Sequence, residues 1–220
     1  MITATDVLVF DLDGTLVQSA ELDATLFQEA ISEVLGHSDF DTNWESYTHI
    51  TDTGLLLELL SRLRITDQAG FIDEVRALLF HKVDTCLASG AACRAVPGAK
   101  ETLSDLRTAG MPFGVATGGW ARTARLKLEH AGIDAPEFLS SSDDAVSRTG
   151  IMKHCLGKIG AGHRRAVYFG DAPWDHKATA ELGWDFIGVG KRLEGRCDVW
   201  IQDFSDPRWL AAWQRVVADD

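Results

Sequence analysis

Phe10-Asp11-Leu12-Asp13-Gly14-Thr15 places two carboxylates at i and i+2 where an apolar run meets a glycine turn, and a third follows another apolar run in Phe169-Gly170-Asp171. Asp11 and Asp171 offer hard oxygen ligands of the kind Mg²⁺ prefers. A cation between them would let a phosphate dianion approach a carboxylate despite their repulsion. Asp11 would then attack phosphorus and form an aspartyl-phosphate. Asp13 is placed to protonate the leaving oxygen and later to deprotonate the attacking water. Gly14 allows the sharp turn and close backbone approach this needs. In Thr117-Gly118-Gly119, the Thr117 hydroxyl and the Gly118 N–H are suited to hold the non-transferring phosphate oxygens at a helix N-terminus.

These residues are scattered along the chain, so strands must bring them together. Asp6–Phe10, Phe113–Ala116, Ala166–Phe169 and Phe186–Val189 read as short buried strands bounded by turn residues, with weaker strands at Glu137–Ser140 and Val199–Ile201. Helical patterns fill Ala99–Ala109, Ala121–Ala131, Ile151–Ile159, Asp175–Leu182 and Trp209–Val217. Strands alternating with helices predict an α/β fold, a Rossmann-like parallel sheet with helices on both faces. Ligands then bind outside the carboxyl ends of the strands, where Asp11, Asp13, Thr117, Asp171 and Asp175 all stand. One block breaks the alternation. Ser19–Leu35, Thr51–Arg64 and Gln68–Leu87 read as three helices with apolar faces, including Leu22, Leu26, Ala30 and Val34 on the first. The expected division is a core of residues 1–16 and 93–220 and an inserted helical domain of residues 17–92.

The chain of 220 residues suffices for a sizeable core with a small accessory domain. Its net charge of −12 makes nucleic acid and anionic membrane poor partners. A phosphate-bearing substrate must therefore meet a local positive site, which a divalent cation would supply. No apolar run reaches the ~18 residues of a membrane span, and Met1–Asp6 shows no basic segment of a secretory signal. Cys86, Cys93, Cys155 and Cys197 form no CxxC pair and read as reduced thiols, so a cytoplasmic protein is expected. The seven histidines show no zinc-ligand spacing.

Taken together, Asp11-Leu12-Asp13-Gly14-Thr15-Leu16, Val115-Ala116-Thr117-Gly118-Gly119 and Gly170-Asp171-Ala172-Pro173-Trp174-Asp175 resemble motifs I, II and IV of the haloacid dehalogenase-like (HAD) hydrolases, in order and each after an expected strand. The inserted helices resemble that family's C1 cap, as in phosphoglycolate phosphatases. The resemblance implies Asp11 as nucleophile, Asp13 as acid/base and Thr117 as the motif II hydroxyl. It implies Mg²⁺ held by Asp11, the Asp13 backbone carbonyl and Asp171, with Asp175 supporting the metal shell. Motif III departs from the pattern. The family places Lys or Arg at a helix start before motif IV, and this chain reads Ser147-Arg148-Thr149-Gly150-Ile151-Met152-Lys153. Arg148, at the expected helix start, is favoured, because a guanidinium grips phosphate with two donors; Lys153, a turn further on, is its competitor.

The reading is a Mg²⁺-dependent phosphatase acting on a small soluble phosphomonoester, a phosphoglycolate-like one by resemblance, in a monomer or homodimer. The alternatives are a phosphomutase using the same nucleophile and a silent phosphate-binding or receiver-like module. A dehalogenase has no need of Asp13, and Leu12 replaces the lysine of P-type ATPases. Thr51-Asp52-Thr53-Gly54 reads either as a capping turn or as a specificity loop of the cap. Asp175 reads as a metal-shell acid or as a helix N-cap, and Trp174 and His176 as packing residues.

Overall fold

The computed structural model describes residues 7–160 and 165–209. Its strands are β1 (Val7–Phe10), β2 (Phe113–Ala116), β3 (Leu139–Ser140), β4 (Ala166–Gly170), β5 (Asp185–Val189) and β6 (Trp200–Ile201). They pair in parallel as one sheet of order β3-β2-β1-β4-β5-β6. This is the doubly wound order, whose ligand crevice opens where the winding reverses. That point lies between β1 and β4, the strands that end at Asp11 and Asp171.

The helices are α1 (Ala20–Leu35), α2 (Asp52–Arg62), α3 (Gln68–Ala88), α4 (Ala99–Thr108), α5 (Ala121–His130), α6 (Arg148–Ile159) and α7 (Pro173–Leu182). Successive strand side chains point to opposite faces. Leu8 and Phe10 of β1 therefore join Leu103 of α4 and Leu128 of α5, whereas Val7 and Val9 join Met152 of α6 and Ala178 of α7. Both faces are covered, which is why β1 is apolar at every position. Helices α1–α3 stand between β1 and α4 in the chain. Leu56, Leu60, Leu79 and Val83 from them belong to the same apolar cluster as Leu8 and Leu128, so packing is continuous from the inserted helices into the sheet. None of the helices among the described residues is long and apolar enough to cross a membrane.

Several boundaries differ from those expected, each for a local reason. Helix α2 stops at Arg62, short of Arg64. Arg64 adopts φ 57° and Ile65 N–H bonds to the Leu60 carbonyl at 2.9 Å, a C-terminal wrap that usually carries glycine and here has none to signal it. Helix α6 starts at Arg148, ahead of Ile151, because Ser147 Oγ accepts from Gly150 N–H at 3.1 Å. Helix α7 starts at Pro173, ahead of Asp175, with proline as its first residue. On α1 the buried residues are Leu26, Phe27, Ala30 and Ile31, so the apolar stripe is rotated away from Leu22 and Val34, which are only partly buried. The closing helix expected from Trp209 falls, beyond Trp209 itself, outside the described residues, as does Asp6.

Candidate active site

Asp11 follows β1 directly, and its N–H bonds to the Phe169 carbonyl of β4 at 2.8 Å, extending the ladder one residue. That bond fixes the carboxylate at the crevice floor, buried. Asp171 stands at the end of β4, and Asp175 one turn into α7. Carboxylate oxygens of Asp11, Asp171 and Asp175 lie within 4.8 Å of one another. Gly14 makes this crowding possible. Its φ is +86°, and a Cβ there would collide with the Asp171 carboxylate.

One guanidinium bridges two of these three acids. Arg148, first residue of α6, donates from Nη1 to Asp175 Oδ1 at 2.8 Å and to Asp11 Oδ1 at 3.2 Å. Tyr168 lies against the same nitrogen at 3.5 Å, its own hydroxyl anchored on the Ala116 carbonyl at 2.9 Å. Arg148 Nε is buried with no partner. Lys153, by contrast, is exposed on α6. Asp175 accepts from Ala172 N–H at 3.1 Å with the oxygen that Arg148 does not use. It is therefore the third residue of α7 with Ala172 as the N-cap, which overturns the reading of Asp175 as the cap itself.

Three carboxylates against Arg148 and the outlying Arg192 leave the site with excess negative charge. Burial, then the charge of Asp175, raise the Asp11 pKa well above the usual carboxylate range, with Arg148 pulling the other way. Burial, again followed by Asp175, pushes Asp171 up to about 7. A hard divalent cation would relieve this crowding, and clustered carboxylate oxygens are the donor set Mg²⁺ takes. The residues present thus fit the metal that the sequence reading expects.

Thr117 ends β2, buried, with its Oγ1 accepting from Gly119 N–H at 3.2 Å. Gly118 packs so closely that an added Cβ would lie 2.7 Å from Arg148 Nη2. Thr117, Gly118, Arg148, Asp11, Asp13 and Asp171 all line one cavity of about 360 Å³.

Asp13 lies beside this cluster with partners the sequence did not announce. Its Oδ1 accepts from Ser19 Oγ and from Lys127 Nζ, both at 2.5 Å. Lys127, on α5, is 1% exposed and also donates to Asp23 of α1 at 2.7 Å. Burial alone would discharge it, but Asp13 and Asp23 outweigh burial and hold its pKa above that of an ordinary lysine. One ammonium thus ties the acid after β1 to the first inserted helix. Nothing in the spacing around Lys127 signals this, because a lysine in a helix ordinarily faces water.

The Thr51–Gly54 turn is docked rather than free. Thr51 caps α2 by accepting from Gly54 N–H at 3.1 Å and donates to the Val146 carbonyl at 2.6 Å. Asp52 N–H bonds to the Gly118 carbonyl at 2.9 Å, and Asp52 Oδ2 accepts from Trp120 N–H at 3.0 Å. Thr53 bonds to Ser142 and to the Trp120 indole. Capping and site geometry therefore coincide here, since Thr51 and Asp52 also line the cavity. Trp174, expected to be a packing residue, lines it too, while His176 stacks on Phe186 with ring centroids 5.0 Å apart. All four cysteines are free thiols; burial raises Cys93 to about 11 and Cys155 to about 12, away from reactivity.

A family model described as haloacid dehalogenase-like hydrolase matches residues 8–189. The protein named Tyrosine-protein kinase PtkA, from Mycobacterium tuberculosis, is 28% identical over 187 residues, covering 83% of this chain and 61% of that protein. The chain thus spans about 61% of the length of the curated relatives it matches. Among solved structures, beta-phosphoglucomutase from Clostridium difficile superposes with a TM-score of 0.74 at 16% identity, covering 97% of both chains. A predicted phosphoglycolate phosphatase from Haemophilus somnus 129pt gives a TM-score of 0.67 at 19% identity, covering 96% of this chain and all (100%) of that one. At these identities the structural likeness establishes a shared fold.

Proposed function

Since the chain belongs to the haloacid dehalogenase-like hydrolase family, we propose that it is a Mg²⁺-dependent phosphatase of a small phosphomonoester, working through an aspartyl-phosphate. The observation that carries this is the convergence on one cavity of Asp11, Asp171 and Arg148 with Asp13 at its side.

Arg148, Thr117 and the Gly118 backbone hold the non-transferring oxygens of the phosphate. Asp11 Oδ attacks phosphorus as the ester P–O bond breaks, and Asp13 gives its proton to the departing alkoxide oxygen. Asp13, now a carboxylate beside Lys127, takes a proton from water as that water's oxygen attacks the phosphoryl group. Inorganic phosphate leaves and the Asp11 carboxylate is restored. When bound by Asp11, Asp171 and the Asp13 carbonyl, with Asp175 behind, Mg²⁺ would neutralise the crowded carboxylates and developing phosphoryl charge. Residues 17–92 act as the cap over this site, limiting substrate size and excluding water. The partner in this reading is a small phosphorylated metabolite, with neither nucleic acid nor membrane involved, for a cytoplasmic monomer or homodimer.

The test is phosphate release from a panel of small phosphomonoesters, with Mg²⁺ and with chelator, for wild type and Asp11→Asn. Release requiring both metal and Asp11 is expected. A phospho-enzyme that yields phosphate only to an added alcohol would favour a mutase, and binding without any phospho-enzyme a silent module.

A further inference from the structure

We propose that the part of the cavity beyond the phosphate takes an uncharged alcohol with an aromatic or otherwise apolar body, and rejects an anionic leaving group. This rests on the phosphohydrolase reading above.

The cations around the cavity are few among the described residues, and two of the three are tied up in buried ion pairs. Arg148 stands at the phosphate end, bonded to Asp11 and Asp175. Lys127 is buried between Asp13 and Asp23. Arg192 stands on the β5 side of the cavity, near Asp171, its guanidinium 4.5 Å from the Trp174 ring centroid and 3.4 Å from Glu45. The lining contributed by the inserted helices carries carboxylates instead, from Glu21, Asp23 and Asp52. A carboxylate on the leaving group, such as that of phosphoglycolate, would meet Glu21, Asp23 and Asp52 along the inserted helices, with Arg192 the one lining cation away from the phosphate end among the described residues.

One wall of the cavity is apolar. Phe27 and Trp44 stand edge to face with centroids 5.9 Å apart, and Leu55 and Ile50 extend the same wall. Helix α1 adds the methyls of Ala20 and Ala24 beside Phe27, with Glu21 and Asp23 as its charged lining positions. Such walls bind flat apolar groups by area and by ring-edge contacts.

Binding can be separated from turnover. The probes are 2-phenylethylphosphonate and 3-phosphonopropionate, non-hydrolysable isosteres of benzyl phosphate and phosphoglycolate, titrated by calorimetry with Mg²⁺ present. A dissociation constant at least tenfold lower for the phenyl compound is expected. Equal affinities, or tighter binding of the carboxylate, overturn the inference. Ala24→Lys, at an exposed helical position, adds a cation to this wall and should narrow the ratio; an unchanged ratio also counts against the inference. Benzyl phosphate, whose leaving alcohol is no better than an ordinary alkyl alcohol, tests the reaction separately. Phenyl preference in binding with no Mg²⁺-dependent phosphate release would sink the phosphatase reading and leave the subsite standing.

Discussion

Replacing Lys127 by Met keeps the length and apolar stem of the side chain and removes only its charge. The ammonium is 1% exposed, whereas the Asp13 and Asp23 side chains keep 17% and 18% of their exposure. Removing one partner from a buried ion pair costs roughly 3–5 kcal/mol, because the other charge stays behind unpaired. The residual exposure of both acids places the expected loss at the lower end, about 3 kcal/mol at pH 8. At about 2–4 °C per kcal/mol for a chain of this size, the melting temperature should fall by about 6–12 °C. The loss should depend on pH. Burial already raises the Asp23 pKa against the pull of Lys127; without Lys127 it rises further. A raised carboxylate pKa means the native state favours the protonated form, so the deficit is largest above that pKa and shrinks as pH falls. Urea unfolding of both proteins at pH 5 and pH 8 measures this. Adding Asp23→Asn to the variant should recover part of the loss at pH 8. A deficit under about 1 kcal/mol, or one equal at the two pH values, would refute the assignment of Lys127 as the charge that holds these two acids.

Other outcomes follow from the same geometry. In metal-free protein Asp171 is raised to about 7, so its contribution to stability is complete below the unfolded value near ~4 and is lost as pH rises through about 7. Chelated protein should therefore melt lower at pH 8 than at pH 6, with Mg²⁺ stabilising more at pH 8; a flat profile contradicts this. Gly14→Ala forces a Cβ into the Asp171 carboxylate at a left-handed φ and should cost about 1–3 kcal/mol and abolish Mg²⁺ binding in calorimetry; normal metal affinity would exclude the proposed ligand set. Arg148→Ala should lower kcat/KM by ~10²-fold or more, whereas exposed Lys153→Ala should stay within about twofold; the reverse pattern would move the motif III role to Lys153.

The sheet was legible because its strands are short apolar runs cut off by Gly, Asp or Thr, and a strand buried on both faces has no other residues to show. Asp11 and Asp171 were legible for the same reason, since they are the polar residues at which those runs stop. Helix ends were less so: the left-handed Arg64 ends α2 with no glycine to mark it. Lys127 and Asp52 were not readable as buried site residues. Each sits at a position where a charged side chain ordinarily faces solvent, and each acquires its meaning from a partner far away in the chain, Asp13 for Lys127 and Trp120 for Asp52. Trp174 reads from the sequence as packing or surface; it packs against Arg192, and that it also lines the cavity only the fold reveals.

The chain leaves the sheet and returns to it at nearly one place. Gln18 N–H bonds to the Arg94 carbonyl at 2.8 Å, and Val96 N–H to the Leu16 carbonyl at 2.9 Å, with Val17 bridging to Ala95. The intervening helices are thus an excursion whose two ends are already clipped together by backbone. Closure of such a loop depends only weakly on its length, about 0.6 kcal/mol for each doubling. What binds the helices between residues 18 and 94 to the sheet is therefore not loop closure but packing and the Lys127–Asp23 and Trp120–Asp52 contacts. The excursion is thus fastened twice, by main chain at residues 16–18 and 94–96 and by side chains farther along it. A different helical segment grafted across the Gln18–Arg94 clip would have to rebuild those side-chain contacts as well as close the loop.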